Sequence, residues 1–536
     1  MSAFLIVIYI VCWAYMILNF KHDIHMLQQN SYRLERYWKY LKNDIGSTWR
    51  LIDVAMLFLV FATLLDLRLS LLIVGIVCLT KMFLIFRKKY KKPLVFTNRV
   101  WRIYGVTAFI ASAIYLATIL TVGSGSVDVI GYNGVALAIG GLLLMTIFSW
   151  VIVMLAVVVL TPVEKMINKK YWNEAASILK SMPDLTVIGI TGSYGKTSTK
   201  HYLHRILSEQ FEVLMTPGSY NTTMGVIRTV REMMKPYDTI FICEMGAKQK
   251  GDIKEICDLV HPNIGIITAV GPMHLESFKT MQNVQSTKFE LIDSLPKDGL
   301  AVVNNDFEYC ANRMVTNVET KRYALNPSSS KRKAIAYVAE EIVYSPEGTT
   351  FVVRGPEGYE LPLSTRLVGA CNISNLLGAI IVAIHLGMPK DKIRYAVSRI
   401  EQVEHRLSIK RTPGGVTIID DAFNSNPSGS KMALEVLASF KNGKRIVVTP
   451  GMIELGERQE ELNKALGEEI AKSVDIAIIV GEYNRKALVD GIKKGGFNDD
   501  GLYEVGSFTE AQEVLGTLLN TGDTVLYEND LPDTFK

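Results

Sequence analysis

The sequence predicts an α-helical membrane region of about five spans followed by two α/β domains built on parallel sheets. Three observations carry that prediction. Long apolar runs crowd residues 1–161, short apolar strands alternate with helical segments from residue 184 onward, and a glycine-rich turn joins the first of those strands to a helix. The chain has 536 residues, room for about three or four domains. Apolar residues make up 49% of it, high for a soluble enzyme, and the excess lies in the first 161 residues. The six cysteines (Cys12, Cys78, Cys243, Cys257, Cys310, Cys371) form no CxxC pair and no metal-ligand spacing, so they read as small reduced apolar residues.

A helix needs about 20 apolar residues to cross a bilayer, and stretches near 2–20, 51–67, 69–86, 104–122 and 136–161 qualify. Only Asp66-Leu67-Arg68 separates the second from the third, which predicts a tight helical hairpin. The first lacks a basic n-region and a small-residue cleavage site, so it reads as a retained span. Basic residues stay on the cytoplasmic side of a membrane. Residues 21–50 carry Lys21, Arg33, Arg36, Lys39, Lys42 and Arg50, residues 87–102 carry seven more, and loops 66–68 and 123–135 carry Arg68 alone. This charge pattern predicts a multi-pass protein of a bacterial cytoplasmic membrane, N-terminus outside and the domains after residue 162 in the cytoplasm. Much of the net charge of +5 comes from those loops, which favours contact with anionic membrane lipids and argues against a nucleic-acid partner. Recognition of a phosphorylated lipid substrate is the sharper alternative. Asp53 and Lys81, near span ends, are expected to snorkel.

After an amphipathic connector over 163–183, Leu185–Thr191 reads as a buried strand that runs into Gly192, Ser193, Tyr194, Gly195, Lys196, Thr197 and Ser198, and a helix follows to about Leu207. Glycines let such a loop turn its N–H groups toward a phosphate, and the helix N-terminus adds a favourable dipole. Lys196 is placed to reach the β/γ phosphates of ATP, and the Thr197 hydroxyl to ligate Mg²⁺. Only two residues separate Gly192 from Gly195, fewer than in the GxxxxGK[ST] form.

Thr191–Ser198 also matches T-G-[ST]-x-G-K-[ST]-[ST], the ATP loop of the Mur ligases. The resemblance continues over roughly 184–530 and is strongest to the members that add D-alanyl-D-alanine to the muramoyl peptide. Glu244, after the strand Thr239–Cys243, is similar to the family's E-x-G glutamate, which binds Mg²⁺. His274 falls in a match to G-x-x-H-L-E, whose histidine helps hold a second Mg²⁺, and Lys288 aligns with a lysine that becomes carbamylated. The resemblance thus implies Thr197, Glu244, His274 and Lys288 as the metal set. A lone acid or histidine gains weight at the C-terminal end of a strand, where open α/β sheets place their ligands. Gly369–Asn375 resembles G-x-H-N-x-x-N on the adenine side, with Cys371 in the histidine's place and Asn372 and Asn375 kept. His405-Arg406-Leu407 and Asp420–Pro427 resemble the G-R and D-D-x-Y-N-x-N-P motifs, with Phe423 for tyrosine, which implies nucleotide contacts from Arg406 and Asp421. Pro450–Gly456 is similar to G-x-M-x-E-L-G. A central ATP-binding domain is expected over 184–403 and a Rossmann-like domain over 404–536, with the membrane region over 1–162.

The resemblance implies an ADP-forming, ATP-dependent ligase whose catalytic set is Lys196, Glu244, His274, Lys288 and Arg406. A free carboxylate is too poor an electrophile to form an amide. It is activated as an acyl phosphate, the amine of an amino acid or peptide attacks, and phosphate leaves. Closure of the last domain excludes water from that intermediate. Two departures bear on the substrate. Soluble Mur ligases carry an N-terminal domain that holds the UDP end of their substrate, where this chain has its spans, and Tyr527–Asp533 differs from the family's K-G-S run. Both point to a lipid-linked or membrane-proximal carboxylate acceptor in cell-wall or envelope polymer synthesis. The soluble UDP-muramoyl reaction and a P-loop ATPase coupled to transport are the alternatives. Transport fits less well, because the strands lead to Glu244 and His274 instead of an aspartate and the spans hold few charges along any pathway.

Overall fold

The computed structural model describes residues 3–43, 51–61, 67–87, 93–123, 132–328, 334–345, 348–423 and 425–530. The chain divides into two compact units, one running to Asn168 and one starting at Lys169.

The first unit is helical, and its core gathers Phe20, Ile24, Leu27, Tyr37, Leu71 and Val74. Among the described residues four helices are long and apolar enough to cross a membrane: Ile6–Gln29, Leu69–Arg87, Asn98–Ala117 and Ser149–Lys180. Five spans were expected, and two of them change. Leu51–Phe61 has 11 residues, short of a bilayer's thickness, and residues 62–66 after it lie outside the described residues. The stretch 136–161 is not one span, because the helix Tyr132–Ile147 stops at a turn on Phe148 and a second helix begins at Ser149. That second helix carries Pro162 in its interior and continues to Lys180, so most of the connector expected over 163–183 is the continuation of this helix. Asp53 does not snorkel. It is fully buried, and its Oδ1 accepts the Tyr15 hydroxyl at 2.8 Å and the Lys81 ammonium at 2.9 Å. A carboxylate in so apolar a setting needs such partners. Of the basic loop residues, Arg50, Lys88, Lys89, Lys91 and Lys92 lie outside the described residues, as does Asp66 of the expected hairpin turn.

The second unit holds two sheets. The first contains β1 (Thr186–Thr191), β2 (Val213–Met215), β3 (Ile240–Glu244), β4 (Ile264–Ile267), β5 (Leu300–Asn304), β6 (Glu319–Leu325), β7 (Tyr337–Ser345), β8 (Gly348–Arg354) and β9 (Glu360–Thr365), in the order β2-β3-β1-β4-β5-β6-β7-β8-β9. Pairing is parallel from β2 to β7, and β8 and β9 add on antiparallel. Strands of such a sheet are covered on both faces and so read as continuous apolar runs. In β1, Ile188 and Ile190 enter the core formed with the helices Lys196–Leu207 and Ala370–His385, while Val187 enters the opposite core with Phe289 and Ile292. The strand order reverses at β1, which lies between β3 and β4, and a ligand crevice forms beyond the C-terminal ends of strands at such a point.

The second sheet contains β10 (Ser408–Arg411), β11 (Thr417–Asp421), β12 (Arg445–Thr449), β13 (Ile476–Val480), β14 (Leu502–Val505) and β15 (Thr524–Glu528), ordered β10-β11-β15-β12-β13-β14. Only β10–β11 is antiparallel. The last residues of β11 and β15, Asp421 and Glu528, are register partners.

Candidate active site

β1 ends in the glycine turn, and two of its glycines are required there. A Cβ on Gly192 would meet Thr268 Oγ1 at 2.1 Å, and Gly195 has φ +76° with the Asn375 side chain 2.1 Å from where a Cβ would sit. Asn375 therefore packs against the turn itself. Ser193 is buried, and its hydroxyl donates to the Gly271 carbonyl at 3.0 Å and accepts from the Gly271 N–H at 3.1 Å. It clips the turn to the loop after β4. Lys196 opens the following helix and folds back to donate to the Gly192 carbonyl at 2.7 Å. Desolvation in the crevice pushes its ammonium down to about 8, helped by Arg406 and opposed by Glu244. Ser198 is buried behind the turn.

Glu244 closes β3 beside that turn. Its Oε1 accepts the Thr197 hydroxyl at 3.2 Å and the Asn221 amide at 3.0 Å, and its N–H donates to Thr216 Oγ1 at 3.1 Å. Its Oε2 lies 3.0 Å from Lys200 Nζ, and both side chains are buried. Lys200 also donates to the Gly218 carbonyl at 2.6 Å. Desolvation is the largest single influence on the Glu244 carboxyl and pulls it upward. Lys200, Lys196 and Asn221 together outweigh it and hold the group below the usual carboxylate range.

His274 comes from the loop after β4 and Lys288 from the helix that follows. His274 stands in the left-handed region (φ 52°), and its Nδ1 bonds Oε2 of Glu454, from the loop after β12, leaving Nε2 as the nitrogen open to a metal. Burial lowers the imidazole, Glu454 pulls it back up, and Lys288 and Lys248 push it down. Lys288, on the helix Met281–Asp293, is buried with its ammonium 6.0 Å from the Phe278 ring centre. Burial and then Lys196 push it well below the usual lysine range, toward a neutral amine.

The remaining predicted residues come from the second half of the unit. The Arg406 guanidinium stacks 4.2 Å over the Phe423 ring. Burial lowers it, while Asp421 and Glu244 raise it, so its charge is felt on both sides of the crevice. Asp421 Oδ1 accepts the Leu407 N–H at 3.0 Å, and burial moves its carboxyl up to about 6 against the pull of Arg406. A cavity of about 650 Å³ opens beside these groups, lined by Thr197, His201, Gly218, Arg399, Arg406 and Phe423 among others, a size that suits a nucleotide. Asn372 is placed differently from its expected purine contact. Its Oδ1 accepts the Tyr202 hydroxyl at 2.9 Å and its amide donates to the Val368 carbonyl at 2.9 Å, which makes it a strut between two helices. Asn424 of the D-D-x-Y-N motif lies outside the described residues.

Residues 190–383 match the model of the Mur ligase middle domain, and residues 405–527 match that of the Mur ligase glutamate ligase domain. The UDP-N-acetylmuramoyl-tripeptide–D-alanyl-D-alanine ligase of Buchnera aphidicola is 31% identical over 330 residues, covering 61% of this chain and 70% of that one. The chain belongs to the Mur ligase family. It is an ATP-dependent acid–amino-acid ligase and works with Mg²⁺. The Bacillus subtilis ligase of the same name is 29% identical over 349 residues, covering 64% of this chain and 72% of that protein. The MurF ligase of Thermotoga maritima, solved with ADP, shares the fold at a TM-score of 0.60 and 24% identity, over 68% of this chain and 80% of that one.

The side chains of this Mur ligase suit Mg²⁺. Thr197 Oγ1 and Glu244 Oε1 are hard oxygen donors 3.2 Å apart, and Glu244 Oε2 takes no hydrogen bond despite its ion pair. Among the described residues there is no cluster of three or more His, Cys, Asp or Glu, so a cation here would rest on these oxygens and on phosphate, as Mg²⁺ commonly does. Sequence reasoning missed Lys200, Glu454 and Glu528. Lys200 carried a signal, since it falls one helical turn after Lys196. Glu454 and Glu528 meet their partners only through the tertiary fold.

Proposed function

We propose that this chain is a membrane-anchored ligase that activates the terminal carboxylate of a muramoyl peptide as an acyl phosphate and joins it to D-alanyl-D-alanine. One observation carries the reading: Lys196, Thr197 and Glu244 converge on one crevice that Arg406 also faces. The names of the relatives supply the acceptor and the amine. The domain limits 184–403 and 404–536 follow the same reading.

Lys196 and the turn's N–H groups hold the β/γ phosphates, with Gly192, Ser193, Gly195 and Ser198 shaping the turn. Thr197 and Glu244 would hold Mg²⁺, with His274 and a carbamylated Lys288 at a second position, and the cation would supply neutralisation of phosphate charge. Arg406 offsets charge that develops during transfer, and Asp421 orients Arg406 toward the nucleotide. Asn375 braces the turn, and closure of the C-terminal domain excludes water.

The soluble UDP-linked precursor is the first acceptor to test. A lipid-linked muramoyl peptide is the second, favoured by the four apolar helices of the first unit. In this reading those helices anchor the protein in the cytoplasmic membrane with the ligase domains inside. Four crossings are an even number, so an N-terminus outside requires a fifth, of which the 11-residue helix Leu51–Phe61 would form part. Full-length protein in detergent, offered both acceptors with ATP and D-alanyl-D-alanine, should yield a product detected by mass, with phosphate released in step. Product that persists in both Lys196→Ala and Glu244→Ala refutes the assignment.

A further inference from the structure

The second sheet holds a buried acid that none of this uses. Glu528 ends β15 in register with Asp421 at the end of β11, at the strand ends where ligands of such sheets gather. It is 1% exposed. The hydroxyls of Ser425 and Ser430 each lie 2.7 Å from its Oε1, fixing the carboxyl plane. Its Oε2 has no hydrogen-bond partner, and among the described residues Glu528 makes no ion pair. As a carboxylate the group is a buried charge without a cation, whereas as an acid it can carry its proton on Oε1 and donate to a serine hydroxyl, so the site accepts a proton readily while Oε2 stays unpaired.

The neighbouring charges are already committed. Arg406 acts on Asp421 and on Glu244, and Arg406 and Glu244 both act on Lys196, so one run of interactions joins the phosphate turn to Asp421. Asp421 in turn acts on Glu528, and no cation compensates that last member. Asp421 is the half-buried member of the pair.

We infer that Glu528 receives the ammonium group of the incoming amine and takes one of its protons, leaving the neutral amine that attacks the acyl phosphate. This rests on the ligase reading above. The steps balance. R–NH₃⁺ and the carboxylate give R–NH₂ and the acid. The nitrogen lone pair then forms the C–N bond, the C–O bond to phosphate breaks, and the remaining excess proton on nitrogen leaves with phosphate as HPO₄²⁻. Burial and the nearby Asp421 push the Glu528 carboxyl up to about 8, a proton affinity suited to a base working near neutral pH.

Hydroxylamine separates this step from activation, because it is already neutral at pH 7 and needs no base to attack an acyl phosphate. Full-length wild type and Glu528→Gln are each given ATP, Mg²⁺ and UDP-N-acetylmuramoyl-tripeptide, with either D-alanyl-D-alanine or hydroxylamine. We expect E528Q to lower peptide ligation about 100-fold, the scale of a lost general base, while hydroxamate formation stays within about twofold of wild type. Equal losses with both nucleophiles make Glu528 merely structural and overturn the inference, as does unchanged ligation. Hydroxamate absent even from the wild type overturns the acyl-phosphate reading, and this inference with it.

Discussion

Glu244, at the end of β3, and Glu528, at the end of β15, are each 1% exposed, yet their surroundings treat the same charge in opposite ways. Around Glu244 the central domain supplies Lys200, Lys196, Thr197 and Asn221, and the carboxyl is held below its ordinary range. Around Glu528 the C-terminal domain supplies two serine hydroxyls and a second acid, and the carboxyl rises to about 8. Burial pulls both upward. The number of cations within reach decides where each ends, so one carboxyl favours its charged form and the other its protonated form.

Four changes test that contrast. The largest effect belongs to the charges at the phosphate turn. Lys196→Ala or Glu244→Ala should lower product formation by roughly a thousandfold or more, the scale of a lost electrostatic stabiliser. Single-turnover ADP release checks this, and a loss of tenfold or less breaks the comparison at its compensated end. Next is Lys200→Met, which strands Glu244 as an unpaired buried charge and should cost about 3–5 kcal/mol of stability. Adding Glu244→Gln should restore most of that stability without restoring activity. Urea denaturation of both proteins decides it, and no recovery in the double variant shows that Lys200 acts apart from Glu244.

Glu454→Gln tests a third carboxylate, one that reaches His274 from the C-terminal half. Removing its charge should weaken the apparent Mg²⁺ affinity in ligation about tenfold, so that more Mg²⁺ is required, as loss of a ligand's hydrogen-bond partner does. An unchanged Mg²⁺ titration separates Glu454 from the metal.

The smallest effect is on stability against pH. The Glu528 carboxyl rises from an ordinary 4.5 to about 8, so between those values the folded chain keeps a proton that the unfolded chain has released. Stability contributed by this group is full at low pH and declines as pH climbs from 4.5 toward 8. Glu528→Gln should therefore match wild type in Tm near pH 5 and exceed it at pH 8.5. Glu244, held below its ordinary value, acts in the other sense: its contribution is present above pH 4.5 and is lost as pH falls below that. An E528Q difference that is the same at both pH values removes the contrast.

Much of the central site was legible in order along the chain, because its parts are local. A strand, a glycine turn and a helix start lie consecutively from Thr186 to Lys196, and glycine is needed there for backbone reasons that any reader of sequence can state. Glu244 was legible because it closes an apolar strand. The helical first unit was less so. Composition marked the apolar stretches, but hydropathy does not record where a helix stops, so the break at Phe148 and the passage through Pro162 were hidden. Asp53 was misread for a related reason, since its partners Tyr15 and Lys81 lie on other helices.

By itself the sequence determined the strand and helix periods, the glycine turn with Lys196 and Thr197, and the family to which they belong, all properties of residues close along the chain. The tertiary structure alone decided which charges share a cavity: Lys200 with Glu244, Glu454 with His274, Asp421 with Glu528. Parallel strands distant in sequence end side by side, and electrostatic energy depends on separation in space, in a dielectric that burial sets.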